Sequence, residues 1–302
     1  MGTADYHVAS SEVGMRLVTF HDAQGTRIGR LEGERVVDLA DAAPELPREL
    51  AALLAAGPLA LGRASTASGA SLPLAGLRLE APIPRPGKIL AVGLNYRAHA
   101  AETGREPPPV PVIFNKQTTS VVGPSDAIHR PRASEALDYE GELGFVIGRR
   151  CRHVPRARAA EVIAGWVVVN DVTVRDWQAR SPTMTMGKSF DTHCPFGPAL
   201  VTPDEIAAPL ALRLRTWVNG ELRQDASTQD LIFDPAALVE HLSTAFTLEP
   251  GDLVSTGTPA GVAAAMKPPR WLVPGDVVRV EVEGVGVLEN RVIAEPSDTI
   301  RL

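Results

Sequence analysis

The segment Tyr139-Glu140-Gly141-Glu142-Leu143-Gly144-Phe145-Val146-Ile147 constrains the fold most strongly, because it places two carboxylates inside an apolar run. Leu143, Phe145 and Ile147 have the spacing of a buried strand, and in a strand Glu140 and Glu142 share one face, about 7 Å apart. Burying paired like charges costs several kcal/mol per ion, so the pair requires a cation, a basic partner or an exposed edge. A third acid, Asp171, ends the run Trp166 to Asn170, whose Val167-Val168-Val169 core reads as sheet interior. Three hard oxygen ligands of this kind favour magnesium, manganese or calcium over zinc. The competing reading places the two glutamates on a solvated strand face.

Bulk properties narrow the function classes. The chain has 302 residues, 44% of them hydrophobic and 5% aromatic, enough for a sizeable core in one large domain or a large one with a small companion. A formal net charge of -6 and the lack of a Lys/Arg-rich run argue against nucleic acid as a partner. A small molecule or a second copy of the chain fits better. Cys151 and Cys194 form neither a C-x-x-C pair nor a disulfide framework, which suits a reducing cytoplasm and two thiols used as small hydrophobes. The first thirty residues hold no apolar core flanked by basic residues, and no run of eighteen apolar residues occurs later, so no leader or membrane span is expected.

The chain divides near residue 84. Arg16 to Phe20 and Val36 to Leu39 alternate as short strands, separated by Gly25, Gly29 and Gly33, and residues 47–56 have a helical pattern. Alternate prolines in Ala81-Pro82-Ile83-Pro84-Arg85-Pro86-Gly87 favour an extended connector. Residues 1–84 therefore read as a small β-rich domain and 85–302 as the larger one. Two helices are expected in the latter, one from Pro155 to Gly165 and one from Asp234-Pro235 to about Phe246. Val218-Asn219-Gly220-Glu221 marks a two-residue hairpin turn, and Pro250-Gly251-Asp252 and Pro274-Gly275-Asp276 each precede a valine-rich strand. Many strands, few helices and no regular βα alternation give an α+β class with a mixed sheet.

Neither G-x-x-x-x-G-K-[ST] nor G-x-G-x-x-G follows a strand, and H-E-x-x-H and G-x-S-x-G are absent, so the chemistry centres on the carboxylates. Three other segments bear polar groups. In Gly93-Leu94-Asn95-Tyr96-Arg97-Ala98-His99-Ala100-Ala101-Glu102, His99 and Glu102 adjoin on a helix, either as a base with its orienting carboxylate or as a surface ion pair. Glycines and Pro107-Pro108-Pro109 frame this segment as one able to close over a ligand. Lys188, in Gly187-Lys188-Ser189-Phe190-Asp191, suits a substrate anion or a solvent-facing loop. Ser255-Thr256-Gly257-Thr258-Pro259-Ala260-Gly261 offers N–H groups and hydroxyls to an anion, or is a tight turn between strands.

Taken together, Gly93 to Glu102, Asp138 to Leu143, Asn170 to Gln178, Gly187 to Thr192 and Thr256 to Val262 resemble, in order, the motifs of the fumarylacetoacetate hydrolase family: G-L-N-Y-x-x-H-x-x-E, D-Y-E-x-E-L, N-D-V-[ST]-x-R-D-x-Q, G-K-S-F-D-T and T-G-T-P-x-G-V. The resemblance spans about residues 85–295. It implies a mixed-sheet β-roll, a homodimer, a lid around His99, and a metal site of Glu140, Glu142 and Asp171 for Mg2+, Mn2+ or Ca2+. It further implies His99 and Glu102 as a water-activating pair, Lys188 as an electrophilic helper, and Gln178 and Thr258 in the substrate pocket.

The activity so implied is hydrolysis of the carbon–carbon bond of a β-diketo acid such as an acylpyruvate or fumarylpyruvate. Substrate oxygens chelate the ion, His99 takes a proton from water, and the bond breaks toward an enolate that Lys188 helps to neutralise. The same constellation suits decarboxylation of oxaloacetate or isomerisation of a 2-oxo acid. Ala98, Met184-Thr185-Met186 and His193 depart from the family pattern and bear on which substrate fits.

Overall fold

The computed structural model describes residues 14–206 and 208–298. Residues 1–13 and 299–302, the outer ends of the two expected domains and the first part of the segment read for a leader, lie outside the described residues. The architecture is α+β, with mixed sheets and few helices, as the alternating runs predict. The larger sheet has 12 strands, in the order Ser71–Pro73, Arg35–Asp38, Gly25–Glu32, Arg16–Asp22, Cys194–Val201, Ile163–Asn170, Gly141–Ile147, Leu253–Ser255, Ile89–Gly93 and Val112–Lys116, with two short strands beside the path. A second sheet of five strands runs Glu221–Ser227, Arg213–Val218, Val277–Val282, Gly286–Ala294 and Ile128–Arg130. Most pairs are antiparallel; Leu253–Ser255 with Ile89–Gly93 and Gly286–Ala294 with Ile128–Arg130 are parallel.

The two sheets roll around one core. Every residue of Gly141–Ile147 is buried, and Leu143 and Phe145 share a cluster with Leu214, Val280 and Leu288 of the second sheet. Phe145 and Trp166, opposite each other on paired strands, meet edge to face with centroids 6.2 Å apart. On the other side, Val146, Val167 and Val169 pack against Leu17, Ile28, Leu50 and Leu53. Arg16–Asp22 pairs with Cys194–Val201, so strand hydrogen bonding and a common core both cross the Ala81–Gly87 connector, which contains neither helix nor strand. Cys151 and Cys194 are unpaired, the latter fully buried. Among the described residues no helix is long and apolar enough to cross a membrane.

The turn chemistry works as the sequence implies. Asn219 and Gly220 take φ of 53° and 81°, the left-handed pair that matches strand twist in a two-residue hairpin. The Asn219 carboxamide also donates to Asp276 Oδ1 and accepts from the Val277 amide, joining this turn to the Pro274-Gly275-Asp276 turn. The helix Pro235–Ala245 begins where Asp234 accepts from the Ala237 amide, with proline in its first turn. In the N-terminal unit the pattern at 47–56 yields the helix Leu50–Ala55, a further helix occupies Pro58–Thr66, and Gly29 lies within a strand instead of between two.

The helix expected from Pro155 to Gly165 forms only as a seven-residue 3-10 helix, Arg156–Val162, with Pro155 at its N-cap, and the strand Ile163–Asn170 begins three residues before Trp166. Gly165 is no helix terminator but a mid-strand contact, since a Cβ there would lie 2.4 Å from the Val201 carbonyl oxygen. The β-branched run downstream and the sheet partner on each side outweigh extension of the helix past Val162. Gly165→Ala should therefore lower stability by about 1–3 kcal/mol, the usual cost of overpacking, seen as a lower denaturant midpoint. An unchanged midpoint would show that the strand pair has slack.

Candidate active site

Glu140, Glu142 and Asp171 converge. Glu140 and Glu142 flank Gly141 at the start of Gly141–Ile147, and Asp171 follows the end of the neighbouring Ile163–Asn170, where Gly141 stands opposite Asn170. The Asp171 amide donates to the Glu140 carbonyl at 2.8 Å, and the Asn170 side chain accepts from the Glu140 amide, fixing the two strand ends together. One carboxylate oxygen from each acid lies within 4.8 Å of the others, and all three residues are buried, which eliminates the solvated-face reading.

The three acids differ in their neutralisation. Lys188 Nζ bridges Glu140 and Asp171 at 2.7 Å each, Arg175 reaches Glu140 at 2.7 Å, and Lys116 reaches Asp171 at 2.6 Å. Among the described residues Glu142 has no basic side chain within ion-pair distance; it accepts from Ser255 Oγ at 2.5 Å and the Gly257 amide at 2.7 Å. Burial, followed by the Asp171 and Glu140 charges, pushes the Glu142 carboxyl well above the ordinary range. Burial also opposes ionisation of Glu140, but Lys188 and Arg175 outweigh it and hold that carboxyl low. Lys188 follows the same logic: burial disfavours its ammonium, yet Asp171 and Glu140 hold its pKa above the ordinary value. Asp138, Glu140, Glu142 and Asp171 thus stand against only Lys116, Arg175 and Lys188. A dication fits this donor set, because the oxygens are close and one carboxylate lacks a counter-charge.

The helix Arg97–Glu102 carries the imidazole. His99 is 8% exposed, and its Nδ1 lies 2.9 Å from Glu102 Oε2. A carboxylate only accepts, so Nδ1 carries a proton toward Glu102, and in the neutral ring the lone pair is on Nε2. Glu102 Oε1 in turn accepts from the Gly261 amide at 2.8 Å, and the Tyr139 hydroxyl donates to the Gly261 carbonyl at 2.9 Å. Gly261 has φ of 106°, and a Cβ there would lie 2.0 Å from the Arg223 carbonyl oxygen, so only glycine presents that amide. Asn95 closes the other end, donating to the Thr256 and Phe233 carbonyls and accepting from the Phe233 amide.

A cavity of about 770 Å3 lies over this assembly, lined by His99, Glu102, Glu140, Arg175, Gln178, Lys188 and Thr258 among others. All the expected residues except Glu142 and Asp171, which lie beneath, reach its wall. Lys188 is 2% exposed, so the solvent-facing alternative for it fails. Thr258 donates to the Gly141 carbonyl and accepts from Gln224, which engages its hydroxyl in the scaffold. Gln178 accepts from Arg175 at 3.1 Å. The loop 255–261 does meet an anion, namely the protein's own Glu142 and Glu102. Of the departures, Met184 lines the cavity with φ of 59°, whereas His193 is buried, donates through Nε2 to the His129 carbonyl and is held neutral with a pKa near about 3, chiefly by burial.

Sequence reasoning missed Lys116 and Arg175, and it placed Ser255 in a loop open to an anion without naming Glu142 as that anion. Arg175 lay inside a quoted motif and carried no assigned role, although it joins Glu140 to Asp138, whose carboxylate also accepts from the Ala263 and Ala264 amides. Lys116 ends the strand Val112–Lys116 and donates to the Val172 and Lys188 carbonyls as well as to Asp171; its only sequence signal was a lysine closing an apolar run.

Residues 88–293 match the model of the fumarylacetoacetate (FAA) hydrolase C-terminal domain. The chain is 41% identical, over 94% of its length and 92% of the relative's, to the mitochondrial oxaloacetate tautomerase fahd2 of Xenopus laevis. Among solved structures, the putative HpcE protein of Mycobacterium smegmatis superposes with a TM-score of 0.87 at 37% identity, covering 93% of this chain and all of that one. The maleylpyruvate hydrolase of Sphingobium sp. SYK-6, solved with manganese (II) and pyruvate, gives 0.78 at 32% identity over 93% of this chain and 100% of that one. With its motifs in order, its fold matched and its buried acids in place, this chain belongs to the fumarylacetoacetate hydrolase family of enzymes, which act on small molecules.

Proposed function

We propose that this chain is a divalent-cation-dependent enzyme that moves a proton between the keto and enol forms of a 2-oxo dicarboxylic acid of the oxaloacetate kind. The observation that carries the reading is Glu142, a buried carboxylate without a basic partner, set against Glu140 and Asp171 beneath a cavity that holds the His99–Glu102 pair. Glu140, Glu142 and Asp171 would hold magnesium or manganese, and a bound ion supplies Lewis acidity to the 2-oxo group. Tautomerisation is put first because five relatives 38–42% identical are named oxaloacetate tautomerases, whereas the relatives of like identity named as hydrolases, from Burkholderia, are named putative.

His99 Nε2 takes the proton from the carbon beside the 2-oxo group, and Glu102 holds the ring in the required tautomer and offsets the imidazolium charge. Lys188, held by Glu140 and Asp171, places a fixed positive charge where negative charge grows on the oxygen. Return of the proton to that oxygen completes the exchange. The reading includes a homodimer in the cytoplasm, supported by the family motifs and the unpaired cysteines.

Hydrolysis of an acylpyruvate or fumarylpyruvate is the second reading, and the His99–Glu102 pair favours it because the same base can deprotonate water. Three assays with magnesium separate the outcomes. Decay of the enol absorbance of oxaloacetate marks tautomerisation, loss of the diketone absorbance of an acylpyruvate marks hydrolysis, and carbon dioxide from oxaloacetate marks decarboxylation. Acceleration of the second or third with none of the first would displace the tautomerase reading.

Glu142→Gln should abolish manganese binding and activity while leaving the circular dichroism spectrum unchanged; a variant that binds the ion normally removes Glu142 from the site. His99→Ala should keep the ion and lose about a hundredfold in rate, and an unchanged rate would reduce the pair to a surface contact. Because the Glu142 pKa is raised, a proton competes with the ion there: manganese affinity should fall as pH drops through that raised pKa and strengthen as pH rises above it. Affinity independent of pH across the neutral range would contradict this assignment.

A further inference from the structure

Strand alternation turns the amide and carbonyl of Gly141 to the same side as those of Leu143 and Ile147. On that side the ladder is incomplete. Ile147 bonds with Gly251 and Asp252, the pairing with Leu253–Ser255 covers Gly144 to Val146, and the Leu143 carbonyl accepts from the Thr256 amide and hydroxyl at 3.0 and 2.8 Å. Gly257 then takes φ of 104° and the chain leaves the sheet. Gly141, buried between Glu140 and Glu142, therefore faces no strand there, and leaving its two backbone groups unpaired would be costly.

Side chains take the strand's place. The Gly141 amide donates to Gln224 Oε1 at 3.0 Å, Gln224 Nε2 donates to Thr258 Oγ1 at 2.8 Å, and the Thr258 hydroxyl donates to the Gly141 carbonyl at 3.0 Å, which closes a ring of three hydrogen bonds. Gln224 Nε2 also donates to the Pro259 carbonyl at 3.0 Å. Of the side chains of this length, only a carboxamide accepts one hydrogen bond while donating two. Gln224, 1% exposed, belongs to neither strand that carries the acids. It lies on Glu221–Ser227 of the five-stranded sheet, opposite Thr216, and a Cβ on Gly141 would meet Thr216 Oγ1 at 2.2 Å. This pair packs directly on the backbone between the two glutamates. Beyond the ring, Thr258 and Pro259 stand between the Gly257 amide, which donates to Glu142, and the Gly261 amide, which donates to Glu102.

We infer that Gln224 is a positioning residue: without reaching the cavity wall, it fixes the backbone that separates Glu140 from Glu142 and, through Thr258 and Pro259, the segment whose amides hold Glu142 and Glu102. The inference rests on the proposed binding of a dication by Glu140, Glu142 and Asp171. A side chain that orients ligating carboxylates from behind commonly changes metal affinity by about 10–100-fold when removed. Gln224 acts on the strand backbone and on the loop at once, so its loss reaches Glu142 from both directions.

Manganese affinity of the full chain, read by electron paramagnetic resonance at a temperature where each variant is folded, tests this. Gln224→Met keeps the length of the side chain and opens the ring, and should weaken manganese binding about tenfold or more. Gly165→Ala, at the Val146 end of the same strand pair, controls for lost stability and should bind manganese as wild type does. Thr258→Val opens the ring from its other side, should weaken binding in the same direction, and carries the test if Gln224→Met does not fold. Wild-type affinity in the folded ring variants, or an equal loss in Gly165→Ala, would overturn the inference while leaving the triad's role intact. A wild-type chain that binds no manganese would remove the triad's proposed role, and the inference with it.

Discussion

The rest of the site is organised around one unbalanced charge. Glu142 is buried, accepts hydrogen bonds from a hydroxyl and an amide, has no ion pair among the described residues, and lies beside two further carboxylates whose cations are already committed. Leaving such a group ionised and alone is expensive, so the pocket must either protonate it or receive positive charge. Lys188, Lys116 and Arg175 bring the cluster close to balance without completing it. A cluster one positive charge short of neutrality would become electropositive on taking a dication and would then complement the anionic 2-oxo acid proposed as ligand.

The scaffold explains how so many charges are kept close together. Glu140 and Asp171 sit at adjacent ends of two hydrogen-bonded strands, and Gly141 and Gly144 are places where any side chain would strike a neighbour within 3 Å. Rigid strands therefore hold the acids, whereas the helix with His99 and the loop 255–261 are attached through side-chain and amide contacts from Asn95, Glu102 and Glu142. The acids thus have strand support, and the imidazole sits on a short helix attached through side-chain and amide contacts.

Much of this was legible in the residues themselves. The acidic pair, Asp171, the Asn219-Gly220 turn and the Asp234-Pro235 helix start each express a local rule, of strand alternation, turn conformation or capping, and each lies where that rule places it. The segment 155–165 was misread because proline and glycine mark helix ends only when no sheet partner claims the glycine, and Val201 does. Lys116 and the partner of Ser255 stayed hidden because these contacts span 55 and 113 residues, and no spacing rule reports a contact of that range. Arg175 stood within a motif, yet its link between Asp138 and Glu140 exists only after the strands have paired.

The loop from Ser255 to Gly261 grips two different carboxylates: its first half holds Glu142, and its last residue holds Glu102. Seven consecutive residues therefore couple the floor of the pocket to the imidazole above it. Any displacement of that loop would loosen both contacts at once, so the buried acid and the imidazole's carboxylate partner depend on one stretch of backbone.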